Sequence, residues 1–202
     1  SKKMEIEKAK KSQKKDIVRV EYFNLGELYY ENGQMSKAAE AYRISYCFSV
    51  NTDDLVKVSI KLGTVSIYNQ NYTFGLKFVK EAVLKNLENP KNAETTNLLN
   101  TIQALLYLGS NNLKDVAACL WENPICSQKE LSDLTSEKDL AFYAIMAGLM
   151  TYTRKKFKED YYSKPYFRIL LENFPDMFEL GSTYINFDFD KYFKLLGTFQ
   201  SN

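Results

Sequence analysis

The sequence predicts an all-α chain: about three antiparallel helical hairpins stacked in a row, followed by a platform of shorter helices. Three observations carry this. Only 8 Gly and 4 Pro punctuate 202 residues, too few for a many-turned β fold. Apolar residues recur at spacings of three and four over long stretches. A Leu-Gly pair and the small and bulky residues behind it return further along the chain.

The opening "SKKMEIEKAKKSQKKD" carries seven lysines and little that packs, so residues 1–16 read as a solvated helical lead-in or frayed terminus. The sharper alternative is a basic arm for an acidic partner or nucleic acid, although the run lacks the aromatic rings of a single-strand binder. From Ile17 the pattern becomes periodic: Val18, Tyr22, Leu25 and Tyr29 form one helical stripe. Gly26 lies inside that helix at a cost of ~1 kcal/mol against alanine, which predicts a close approach by a second helix, with Ala38 or Ala41 opposite. Gly33 in "ENGQ" reads as a left-handed C-cap, and Ser36 as the N-cap of a second helix.

Leu62-Gly63 follows Leu25-Gly26 by 37 residues, and Gly75 and Val79 then stand where Ala38 and Tyr42 stood. "NQNY" (69–72) replaces the turn. A third copy uses Tyr107, the turn "GSNN" (109–112), Val116 and Leu120, about 41 residues on, after a longer loop around Pro90. After "WENPIC" comes a helix capped by Ser136 or Thr135 and apolar on every face, which predicts Ile145, Met146, Leu149 and Phe167 as core. "TRKKFK" (153–158) reads as a solvated basic turn or an acidic-partner contact. Pro165 and Pro175 mark the starts of two short helices, and Asp188 and Asp190 read as helix N-capping residues in preference to a cation site. The expected organisation is therefore 1–16 lead-in, 17–126 repeats and 127–202 platform, with right-handed stacking of the hairpins.

Composition excludes much chemistry. The chain has no histidine, so no Ser-His-Asp or Cys-His nucleophile and no HExxH zinc site can form. Cys47, Cys119 and Cys126 lack zinc-ligand spacing, and with Trp121 they read as buried packing residues, reduced in cytoplasm or nucleus. Net charge is +2, which makes no global case for nucleic-acid binding, and no apolar run reaches the ~20 residues of a membrane span. The reading is a non-enzyme with no cofactor, metal or small-molecule substrate. Its partners are other subunits of a large complex. The first helix of each hairpin lines a repeat array's concave face, so the exposed neighbours of the Tyr22–Tyr29 stripe, Glu21, Asn24 and Glu27, are the expected partner-binding residues.

Tyr22, Leu25-Gly26, Tyr29, Ala38 and Tyr42 resemble one tetratricopeptide repeat. Across 17–197 the chain resembles the PCI-domain scaffold proteins. Three stretches carry this: "LGELYYENGQMSKAAEAYRISYCFS", "VSIYNQNYTFGLKFVKEA", and "LTSEKDLAFYAIMAGLMTYTRKKF" followed by "FRILLENFPDMFELGSTYINFDFDKYFKLL". Tyr46-Cys47 makes the likeness greatest to the subunit-1 branch of the COP-9 signalosome, with the proteasome-lid paralogue second. The resemblance implies a non-catalytic scaffold in a complex that deneddylates cullins, with cullin-RING ligase components among its partners. It also implies a winged helix beyond Asn202. The alternatives it leaves are a proteasome-lid subunit or a PCI-type adaptor in translation or messenger export.

Overall fold

A computed structural model describes residues 2–88, 93–123 and 131–200, with side chains for those from 14 to 199. Among the described residues there are α-helices and no strands. Cys126, the loop around Pro90 and the side chains of residues 1–13 of the lysine-rich lead-in lie outside that description. The chain divides into two compact units, Ser1–Ser110 and Asn111–Asn202.

The first unit holds α1 (Lys2–Glu31), α2 (Met35–Cys47), α3 (Thr52–Tyr68), α4 (Tyr72–Glu88) and α5 (Ala93–Gly109). α1 pairs with α2 and α3 with α4, while α5 packs on α3 and α4. The basic lead-in is continuous with the first repeat helix. Gly33 closes α1 with φ +70°. Its amide donates to the Tyr30 carbonyl at 3.0 Å and that of Gln34 to Tyr29 at 2.8 Å, the paired bonds of a Schellman turn. That turn feeds Gln34 directly into α2 as its N-cap, without a side-chain cap. Ser36 therefore lies inside the helix and is not its cap. The same turn recurs at Gln70, where Asn71 donates to Ser66 at 2.9 Å, and Asn111 is the third left-handed residue. The spacings of 37 and 41 residues follow the sequence recurrence.

Gly26 is buried, but the group opposite is neither Ala38 nor Ala41. A Cβ at this position would stand 2.5–3.0 Å from the ring of Tyr42, which is itself fully buried. The glycine makes room for a phenol ring, with Ala38 and Ala41 buried beside it on α2. Around them Val58, Leu62, Val65 and Phe78 complete a core flanked by Phe23, Tyr29, Tyr30 and Tyr46. Leu25, placed on the buried stripe by its spacing, is 36 % exposed; the inward face of α1 runs through Phe23, Gly26 and Tyr30 instead.

The second unit holds α6 (Leu113–Glu122), α7 (Glu137–Thr151), α8 (Arg154–Ser163), α9 (Pro165–Glu172), α10 (Pro175–Asn186) and α11 (Phe189–Gln200). Its centre is Trp121 on α6. The indole stacks on Phe167 at 4.0 Å and meets Tyr152 and Phe157 edge-on. It lies over Gly148 and donates Nε1–H to the Ala144 carbonyl at 2.8 Å. Thus α6 packs with α7 and α9. Of the two helices expected as the third hairpin, α5 falls in the first unit and α6 in the second.

Ser136 caps α7 through a reciprocal box with Asp139. Ile145 and Phe167 are fully buried, whereas Met146 and Leu149 are only partly covered and Met150 is exposed. An apolar circumference did not bury this helix on every side. "TRKKFK" is no turn: Thr153 caps α8 and Phe157 is buried. Pro165 and Pro175 open α9 and α10, and Asp188 accepts from the Lys191 amide at the start of α11. Trp121 is buried as expected, but Cys47 is exposed and Cys119 only half-buried.

A prediction follows from two helical glycines with opposite surroundings. Gly26→Ala forces a methyl into the Tyr42 ring and should destabilise by ~1–3 kcal/mol. Gly197→Ala, where a Cβ meets nothing within 4 Å, should instead gain up to ~1 kcal/mol of helix propensity. Urea titration of both variants reads the two signs; a stabilised Gly26→Ala would mean that the ring is not seated on α1.

Candidate functional site

The residues expected to meet a partner all lie on α1, and they divide between its two sides. On the inward side α1 runs beside α3. Arg19 pairs with Asp54 at 2.9 Å, the Lys57 ammonium lies 4.7 Å over the Phe23 ring, and Lys61 pairs with Glu27 at 3.0 Å. These contacts join residues 35, 34 and 34 apart. Tyr30 and Tyr68 meet edge-on at the end of the ladder. Ion pairs of both polarities and a cation over a ring thus join α1 to α3, alongside the packing of α2 on α3 that links repeat one to repeat two.

Glu27 belongs to this joint. Besides the Lys61 pair, its carboxylate accepts a hydrogen bond from the Tyr42 hydroxyl. Its side chain is only 32 % exposed. Glu27 therefore ties α1 to α2 and α3 at once and is not a free surface acid. Sequence spacing missed this because it treats α1 as having one buried face. The signal available was Tyr42 itself, a phenol on a buried α2 stripe whose hydroxyl needs an acceptor.

Glu21 and Asn24 do lie exposed on the outer side of α1. They are joined there by Ile17, Val20 and Leu28, which are 57 %, 41 % and 54 % exposed. The carboxylate of Glu31, also exposed, ends the helix. This stripe of aliphatics interrupted by polar residues can bind a surface.

The inner joint has a titration signature. Burial, followed by the hydrogen bond and charge of Glu27, raises the Tyr42 hydroxyl well above its ordinary value of 10.0. Burial likewise raises Tyr46 beside Glu81, and Tyr161 in the second unit. Tyr152 is pushed up to about 12 by burial and then by Asp160. Among the described residues no three of Cys, Asp or Glu converge as a metal site, and no helix is long and apolar enough to cross a membrane.

Comparison with protein families finds one whose model matches residues 3–160 of the 202, described as 26S proteasome subunit RPN7. The match spans α1 through most of α8, and so takes in both faces of α1.

The raised tyrosines set the expected pH response. Each binds its proton more tightly folded than unfolded, so its contribution is complete below about pH 10 and declines as pH rises above that value. Tyr42→Phe keeps the ring on Gly26 but loses the hydroxyl's bond to Glu27, and should cost ~0.5–1.5 kcal/mol at neutral pH. It should also flatten the alkaline loss of stability. Urea midpoints between pH 7 and 11 for both proteins measure this; parallel curves would remove Tyr42 from the alkaline transition.

Proposed function

The chain belongs to the family of the 26S proteasome subunit RPN7, and from that premise we propose that it is a non-catalytic scaffold subunit of a proteasome-lid-type complex. The observation that carries this is the family match over α1–α8, joined to a first unit made of helical hairpins held by ring-on-glycine and ion-pair contacts. Such stacks offer a long surface to partners, and a chain without histidine has little acid–base equipment for hydrolysis near neutral pH. PCI-type scaffolding in a lid-like assembly therefore fits both the fold and the chemistry.

The signalosome branch, which Tyr46-Cys47 favoured, comes second. The matching family model bears the proteasome subunit's name, and the pair has a local explanation. Tyr46 packs edge-on to Phe78 at 4.8 Å, so its identity answers to the core of the first unit, while Cys47 is simply exposed. Cullin-RING components as partners, and residence in cytoplasm and nucleus, depend on that second reading. Glu21 and Asn24 remain the proposed partner-facing residues; Glu27 acts through the α1–α3 joint.

Affinity capture of the tagged protein from its own cells, followed by mass spectrometry at near-physiological salt, separates the readings. The expected result is co-purification of proteasomal ATPases and lid subunits in constant ratio. Cullins with signalosome subunits would replace the first reading by the second, and recovery of the chain alone would overturn both.

A further inference from the structure

α1 carries apolar residues on opposite sides. Phe23, Gly26 and Tyr30 face α2 and α3, while Ile17, Val20 and Leu28 lie on the outer side at 57 %, 41 % and 54 % exposure. Their spacings, with Asn24 between, are three, four and four, so they form one straight stripe about 17 Å long. A helix that is apolar around its circumference is normally buried. The outer side of α1 does not meet that expectation.

Its charges say what would cover it. On the inner side the acids Asp16, Glu27 and Asp54 all have cations within 4 Å. On the outer side Glu21 and Glu31 are exposed, and among the described residues neither has an ion pair. Glu31 is also the last residue of α1, where the helix dipole is negative, and no basic residue occupies that last turn. The field over the stripe is therefore anionic from Glu21 to Glu31, with the exposed Lys14 and Lys15 at its far end. The molecule itself shows what satisfies such a helix: on the inner side α3 brings Lys57 and Lys61, four residues apart, against the rings and acids of α1.

We propose that the outer face of α1 docks an amphipathic helix of a neighbouring subunit. That helix has an apolar stripe at three- and four-residue spacing, with Lys or Arg on its flanks opposite Glu21 and Glu31. The stripe Ile17–Val20–Leu28 supplies the apolar contact, Asn24 requires a polar group opposite it and so sets register, and the two glutamates select a basic partner. The inference rests on the reading of the chain as a scaffold subunit only for the source of the helix.

The test uses the full-length tagged protein in its own cells, with the photoreactive residue p-benzoylphenylalanine at position 24. Irradiation should join it to a helical segment of another subunit, and peptide mass spectrometry should show the apolar spacing and basic flanks. Glu21→Lys with Glu31→Lys should lower that yield on the order of tenfold while the purified variant keeps its melting temperature. Exchanging the partner's facing Lys or Arg for Glu in the same cells should restore it. A crosslink between two copies of this chain, to a segment without basic flanks, to lipid, or to nothing would overturn the proposal, as would a yield indifferent to the double reversal. Crosslinking to such a helix in an assembly that holds no proteasome-type subunits would sink the function proposed above and leave this inference standing. A lid-type assembly with position 24 silent would do the reverse.

Discussion

The seating of large rings on helical glycines is the constraint from which both units follow. Tyr42 lies on Gly26, Tyr72 on Gly109, Trp121 on Gly148 and Tyr161 on Gly181. In each case a Cβ would occupy space that the ring already fills, so helix separation at the contact is set by the thickness of an aromatic face. Glycine in a helix costs ~1 kcal/mol. At Tyr42, Trp121 and Tyr161 a fully buried ring far larger than a methyl group offsets that cost, while Tyr72 is half-buried. Part of the chain's aromatic content, 15 Tyr and 13 Phe, thus serves helix packing, while rings such as Tyr162, Phe187 and Phe193 are exposed.

Much of this was legible in the sequence, and what was not has identifiable causes. Gly26 announced a close approach, but periodicity cannot say whether an alanine or a ring fills the gap. The register of the turns was readable because Gly33, Gln70 and Asn111 end helices in the left-handed region. Ser36 failed as a cap because the Schellman turn absorbs the intervening residues. The basic run 153–158 looked like a turn because four of its six residues are cationic; Phe157, buried against Trp121, makes it the start of α8. At the candidate site, exposure of Glu21 and Asn24 was readable, whereas the role of Glu27 depends on Lys61, 34 residues away, which no local pattern reveals.

That separation also reconciles two periods. The turns recur after 37 residues, yet α1 and α3 touch at an offset of 34 or 35. Gly26 and Gly63 are already 37 residues apart, upstream of the end of α3 at Tyr68. Contact pairs at 34 or 35 therefore set α3 off from α1 by two or three residues along the helix axis, about 3–4.5 Å.

Glu27 shows why a structural joint and a binding surface can share one helix without sharing residues. Its carboxylate serves Tyr42 and Lys61 together, so removing it strands a buried phenol and leaves a cation without its partner. A loss of assembly in a Glu27 variant would therefore report on the seating of α1 as much as on any docking surface. Glu21 and Asn24 point away from that network, and their substitution leaves the α1–α3 ladder intact. An interface assigned to this protein by mutation is interpretable only when the inward and outward residues of α1 are varied separately. The packed side fixes where α1 stands, and the outer side is then free to evolve toward whichever partner the assembly brings.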